Sequence, residues 1–154
     1  MMDITAYLDQ NRVHYQVSSH PPAFTAQKVA AEEHVPGMNV AKPVVVQVDG
    51  RYYMCVLPAC CKVDLELLRS QLGAGEVELA REQEMEKLFP GCELGAEPPF
   101  GNIFGMQTLM DISLHEDDFL IFQGGRHDRA IKISRADYEA LVKPRILCFG
   151  YHLH

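Results

Sequence analysis

The sequence predicts an α+β fold, a mixed and largely antiparallel sheet flanked by helices, in one domain over residues 1–154. Three observations predict it. Strand-like and helix-like stretches alternate irregularly, without the steady βαβ period of a parallel sheet. Asp49-Gly50, set between two apolar runs, is a two-residue hairpin signal that makes its neighbours antiparallel. The 154 residues, 47% of them hydrophobic, suffice for one core, and no linker is long enough to divide the chain.

In order, residues 4–11 read as a short amphipathic helix, with Ile4, Tyr7 and Leu8 on one face and Asp3 at its start. Residues 13–17 alternate as a strand does. His20-Pro21-Pro22-Ala23-Phe24 is a stiff extended connection, and Thr25 is an N-cap candidate for a helix through Glu33, closed by His34-Val35-Pro36-Gly37. Residues 40–48, with Val44-Val45-Val46, form the most strand-like stretch, and 51–57 return antiparallel. Asp64 caps a helix over 65–72 that ends at Gly73. A short strand over 77–79 and a charged helix over 82–88 follow. Residues 107–112, 119–122 and 130–133 are strands, with a Gly124-Gly125 turn between the last two. Ser134 caps a final helix over 136–142, Pro144 stops it, and 146–149 form a terminal strand.

Composition narrows the function classes. No apolar run approaches the ~20 residues a membrane span needs. The start, Met1-Met2-Asp3-Ile4-Thr5, has neither a basic region nor an apolar one, so the expectation is a cytoplasmic protein with no membrane partner. Five cysteines, an odd number without C-x-x-C spacing, point to reduced thiols and a reducing compartment. A formal charge of −7 argues against broad adhesion to nucleic acid, DNA included, but leaves room for a protein that grips the end of an RNA.

The stretch of most interest is Gly91-Cys92-Glu93-Leu94-Gly95-Ala96-Glu97-Pro98-Pro99-Phe100-Gly101. Adjacent prolines stiffen it, and glycines let a ligand or another backbone come close. It serves either as a rigid crossover between two halves of a fold or as a wall that holds a ligand by main-chain N–H groups. The spacing Gly-x-x-x-Gly-x-x-Pro-Pro-Phe-Gly resembles the signature loop of the YbaK/prolyl-tRNA-synthetase-associated editing domains, and the resemblance covers nearly the whole chain. That family comprises aminoacyl-tRNA deacylases that clear mischarged tRNA.

Lys42 lies within Ala41-Lys42-Pro43-Val44-Val45-Val46, as an edge-strand solubiliser or as a functional cation. This stretch is similar to the family's lysine-bearing strand, and the resemblance implies that Lys42 meets the terminal adenosine and the ester. A cation there can polarise an acyl carbonyl as negative charge develops. Family members often carry a polar residue after the lysine, where this chain has Pro43. His127, after Gly124-Gly125-Arg126, is a solvated loop histidine or, by the same resemblance, a pocket residue that orients a water or the ribose hydroxyl. The resemblance also implies that Gly95, Gly101 and Gly125 line the substrate, with Pro98, Pro99 and Phe100 shaping the wall, and that Asp111 is structural, binding turn amides.

The remaining constellations are weak. His152-x-His154 offers two metal ligands on a ragged terminus. No G-x-S-x-G elbow is present, no G-K-[ST] follows the paired glycines, and Cys60-Cys61 has no adjacent base. The acidic residues Glu76, Glu78, Glu82, Glu84 and Glu86 read as a solvated face. No metal or cofactor is expected. Arg126, Arg129, Lys132, Arg135, Lys143 and Arg145 either meet the acceptor stem or balance that acidic segment. The resemblance thus implies a free-standing hydrolase of the ester at the 3′-terminal adenosine. Aminoacyl-tRNA would be its partner, with an aminoacyl-tRNA synthetase as a second. A non-catalytic aminoacyl-tRNA or synthetase-binding module and a hydrolase of another small ester stand as alternatives.

Overall fold

Local capping signals set most of the helices. In the computed structural model, which describes residues 3–152, α1 (Ile4–Gln10) starts where the Asp3 carboxylate accepts the Thr5 N–H, and it buries Ile4 and Leu8. β1 (Gln16–Ser19) follows, then α2 (Ala26–Glu32), whose cap Thr25 accepts the Lys28 N–H. β2 (Ala41–Val48) and β3 (Arg51–Pro58) pair antiparallel from Ala41↔Pro58 to Val48↔Arg51. Asp49 and Gly50 at their turn have φ of 47° and 87°, the positive values a two-residue hairpin demands.

β4 (Cys61–Val63) leads into α3 (Leu65–Leu72), capped by Asp64 and stopped by Gly73 in the left-handed region. β5 (Val77–Leu79) and α4 (Glu82–Leu88) precede the glycine–proline loop, which ends in a 3-10 turn at Gly101–Phe104. The chain closes with β6 (Gln107–Asp111), α5 (Ile112–His115), β7 (Phe119–Gln123), β8 (Arg129–Ser134), α6 (Arg135–Val142), β9 (Arg145–Leu147) and β10 (Gly150–His152).

The strands form a five-stranded sheet in the order β5-β2-β3-β6-β9, a three-stranded sheet β1-β8-β7, and the pair β10-β4. In the large sheet β5 and β3 are antiparallel to β2, whereas β6 and β9 run parallel to β3 and to each other. Its two faces are both covered, which explains the unbroken valine run in β2. Val45 joins Met54, Val56, Met110, Phe100 and Phe122 on one side. Val46 and Val48 join Cys55, Leu57, Leu68, Leu109 and Phe149 on the other.

β5 pairs only with Val46–Val48, so that edge of β2 is open around Lys42 and Pro43. Pro43, lacking an N–H, fits there. Just before it, Val40 bridges Ile121 of β7 in parallel. Lys42 therefore sits where the two larger sheets meet.

Some expected elements differ. The strand expected over 13–17 is β1, which pairs Gln16–Ser19 with β8; its side chains are mostly exposed, so no burial alternation marks it in sequence. The terminal strand expected over 146–149 is β9, and the three-residue pair β4 and β10 was not expected. Asp111 ends β6 one residue early by capping α5, accepting the Ser113 N–H. His152 lies on β10, while His154 falls outside the described residues. Among the described residues no helix is long and apolar enough to cross a membrane.

Candidate active site

The glycine–proline loop is zipped onto the β7–β8 turn by four hydrogen bonds: Glu93 N–H to Gly125 O (2.9 Å), Gly125 N–H to Ala96 O (2.8 Å), His127 N–H to a Glu93 carboxylate oxygen (2.8 Å) and the His127 ring to Leu94 O (2.8 Å). Its far end is set in the core. Phe100 is fully buried and packs edge-on against Tyr7, Phe122 and Tyr138, and the Tyr138 hydroxyl donates to Pro99 O. Gly101 passes so close to β6 that an added Cβ would lie 2.5 Å from Thr108 Oγ1 and 2.8 Å from Met106 O. A bare backbone is the only fit there.

Between this loop, the open edge of β2 and α4 lies a cavity of about 280 Å³, at the small end for ligand sites. Lys42, Glu82, Gly95, Glu97 and Gln123 supply its polar lining, Glu82 from the exposed first turn of α4 and Glu97 buried, with Leu94 and Met85 among the apolar residues. The Lys42 ammonium donates to Ala59 O at 3.2 Å, and it forms no ion pair among the described residues. Burial lowers its pKa from the ordinary lysine value, partly offset by the nearby Cys61 and Cys60 thiols.

Glu97 is 4% exposed, and its two carboxylate oxygens accept the Gly95 N–H at 2.7 and 3.1 Å. That bond closes the loop on itself, and it fits Gly95 at φ +89°, a conformation side chains rarely adopt. Desolvation raises the Glu97 pKa, against the opposing pull of the Gly95 N–H and of His127.

His127 is buried at the back of this loop. Its Nδ1 lies 3.1 Å from Ala23 O and its Nε2 2.8 Å from Leu94 O. Carbonyls only accept, so an imidazolium serves both, and a neutral ring protonated on Nε2 serves Leu94 while Gln123 Nε2, 3.5 Å from Nδ1, also donates to Ala23 O. Phe24, 69% exposed, covers the ring with centroids 4.6 Å apart.

Of the residues singled out in sequence, Lys42 and Gly95 share the cavity. His127 and Gly125 brace the loop from behind. Pro98, Pro99, Phe100 and Gly101 are not part of that cavity's lining; Phe100 goes to the core because a large aromatic ring buries more apolar area there than on a wall. Glu97 and Gln123 were missed. The signal for Glu97 was a lone acid in residues 94–110, a run that is otherwise uncharged.

Asp111 binds turn amides: its carboxylate accepts from Phe149 and Gly150 N–H (2.9 and 2.7 Å) as well as from Ser113. Of the basic residues considered for an acceptor stem, Arg126 pairs with Asp128, Arg129 with Asp3 and Arg135 with Glu139, and Lys132 lies 4.1 Å over the Phe119 ring. Burial pushes the thiols of Cys55, Cys61 and Cys92 up to about 12, 11 and 11, so none is a thiolate nucleophile at neutral pH.

Comparison with known proteins bears on this arrangement. The family model for the aminoacyl-tRNA editing domain matches residues 20–141. The multifunctional Ser/Thr-tRNA deacylase ProXp-y of Escherichia coli K12 is 27% identical over 151 residues, spanning 95% of this chain and 90% of that protein. A crystal structure of a hypothetical protein matches with a TM-score of 0.86 at 19% identity, over 96% of this chain and 99% of its own. A candidate trans-editing enzyme for prolyl tRNA synthetase matches at 0.84 and 19%, over 96% and 94%. At such identity the structural matches speak for the fold.

Proposed function

The chain belongs to the aminoacyl-tRNA editing domain family, and we propose that its cavity at the Lys42 end of β2 is where it deacylates mischarged aminoacyl-tRNA. The observation that carries this reading is the half-buried Lys42 ammonium, free of any carboxylate partner among the described residues, facing the same small cavity as the Gly95 loop. In this reading Lys42 meets the ester and the terminal adenosine, and the loop around Gly95 encloses the amino acid.

An aminoacyl ester is already activated. Water attacks its carbonyl carbon, the C–O bond to the ribose breaks, and the free amino acid leaves with the added oxygen. Lys42 steadies the negative charge that develops on the carbonyl oxygen, a role worth most in a site that excludes water. His127, with both ring nitrogens on backbone carbonyls, acts as a positioning residue that holds Leu94 and Ala23 in place.

The cavity volume suits a small amino acid. The description of the Escherichia coli relative makes serine and threonine the first to test. The fold neighbour described for prolyl tRNA synthetase supports a synthetase as a further partner. For an acceptor-stem contact, the exposed Lys62 is the basic residue near Lys42 and pairs with no carboxylate among the described residues, whereas Arg145 borders Asp49 at the other end of β2.

Turnover and binding measured together test the reading. Free serine or threonine should be released from its tRNA well above the spontaneous rate. Binding of the same tRNAs without faster release would leave a silent binding module instead.

A further inference from the structure

Two acidic side chains are buried among the described residues, and they differ in one respect. Asp111 is surrounded by donors: the N–H groups of Ser113, Phe149 and Gly150 and the Ser113 hydroxyl all meet its carboxylate. Glu97 has the backbone N–H groups of Gly95 and of its own residue, with His127 nearby, and no ion pair with any ammonium or guanidinium of the described residues. A buried carboxylate with no ammonium or guanidinium partner keeps part of its desolvation cost, which an arriving cation offsets. Glu97 also lines the cavity, so a ligand can reach it.

Every aminoacyl ester carries such a cation. Its α-ammonium is bonded to the carbon next to the ester carbonyl, and it is present whatever the side chain. We propose that the Glu97 carboxylate anchors the α-ammonium of the bound aminoacyl ester. This rests on the deacylase reading of the cavity. With Lys42 near the ester and Glu97 on the opposing loop, the carbonyl is held between a cation and an anion, which fixes its orientation. The anchor favours free aminoacyl esters over those whose nitrogen is acylated, so peptidyl and N-acyl esters lose the charge that Glu97 meets. Gly95, at φ +89°, gives the carboxylate its N–H from a backbone conformation that side chains rarely adopt.

The test uses short acceptor-stem RNA hairpins ending in a non-hydrolysable amide-linked serine, and the same hairpins carrying the α-hydroxy acid in its place. Affinities are measured on the wild type and on Glu97→Gln, a near-isosteric change that keeps an oxygen for the Gly95 N–H. The wild type should bind the α-amino form roughly ten- to hundredfold more tightly, the range for a hydrogen bond between charged groups. In Glu97→Gln the ratio should fall to within about threefold of one, by the same reasoning.

An unchanged ratio in Glu97→Gln overturns the proposal, as does a wild type indifferent to the α-nitrogen. The wild-type comparison stands even if the variant folds poorly, and Glu97→Asp, which keeps the charge, should then retain most of the preference. Hydrolysis of the ester-linked RNA is followed in parallel. Its absence sinks the deacylase reading, whereas the binding ratio alone decides the role of Glu97.

Discussion

His127 Nε2 lies 2.8 Å from the carbonyl oxygen of Leu94, joining the β7–β8 turn to the middle of the glycine–proline loop. The contact crosses 33 residues of sequence and holds the loop that carries Gly95 and Glu97. His127→Ala should loosen that loop. Amide hydrogen exchange at Gly95 and Ala96 should quicken, and deacylation should fall by roughly tenfold or more, the scale of a misplaced reactive group. His127→Gln, which keeps a donor, should recover part of the rate. Full activity in His127→Ala with faster exchange would separate the loop clamp from catalysis.

Glu97 makes stability depend on pH. Burial raises its carboxyl pKa in the folded state above that in the unfolded chain. Its contribution is therefore fully present below the unfolded value and is lost as pH rises through the folded one. Glu97→Gln should be more stable than the wild type near neutrality, by about 1 kcal/mol, a usual yield when a functionally constrained position is relieved. The gap should close as pH falls below the unfolded carboxyl value, toward about pH 3, where Glu97 is protonated in both states. Urea midpoints across that range check this; a gap that widens on acidification contradicts it.

Gly101→Ala tests the close approach of the loop to β6. The added Cβ would come within 2.5 Å of Thr108 Oγ1 and 2.8 Å of a backbone oxygen. One of these neighbours is backbone and cannot swing aside, so the cost should be about 2–3 kcal/mol in urea unfolding, the range of an overpacked core. A neutral result would mean that the loop shifts freely.

Asp111→Ala leaves the N–H groups of Phe149, Gly150 and Ser113 without their acceptor. Two of these tie Phe149 and the first residue of β10 to the end of β6, so the loss should reach about 2–4 kcal/mol, as for buried donors left unpaired. Asp111→Asn keeps one oxygen and should cost less. Thermal unfolding of the two variants ranks them.

Much of this was legible in the sequence because its signals are local. Asp49-Gly50 names its own turn, and Asp3, Thr25, Asp64 and Ser134 each cap the helix that follows within three residues. β4 and β10 were not legible, since three-residue strands exist only through partners about ninety residues away. Lys42 could be singled out as a cation in an apolar strand. Glu97 stands out in sequence only as a lone acid, and nothing local shows that it is buried, since a carboxylate in a loop ordinarily points to water. The Pro-Pro-Phe run shows the same limit: its stiffness was legible, but which side of it faces the core depends on Tyr138 and Phe122.

The most direct test of the central claim is single-turnover release of amino acid from seryl-, threonyl-, alanyl- and cysteinyl-tRNA by the wild type and by Lys42→Ala. At least one species should be released far above the spontaneous rate, and Lys42→Ala should slow it by about 10²–10³-fold, the loss seen when one oxyanion-stabilising group is removed. Wild-type release at the spontaneous rate on all of them, or a Lys42→Ala variant as fast as the wild type, would contradict the assignment of the cavity.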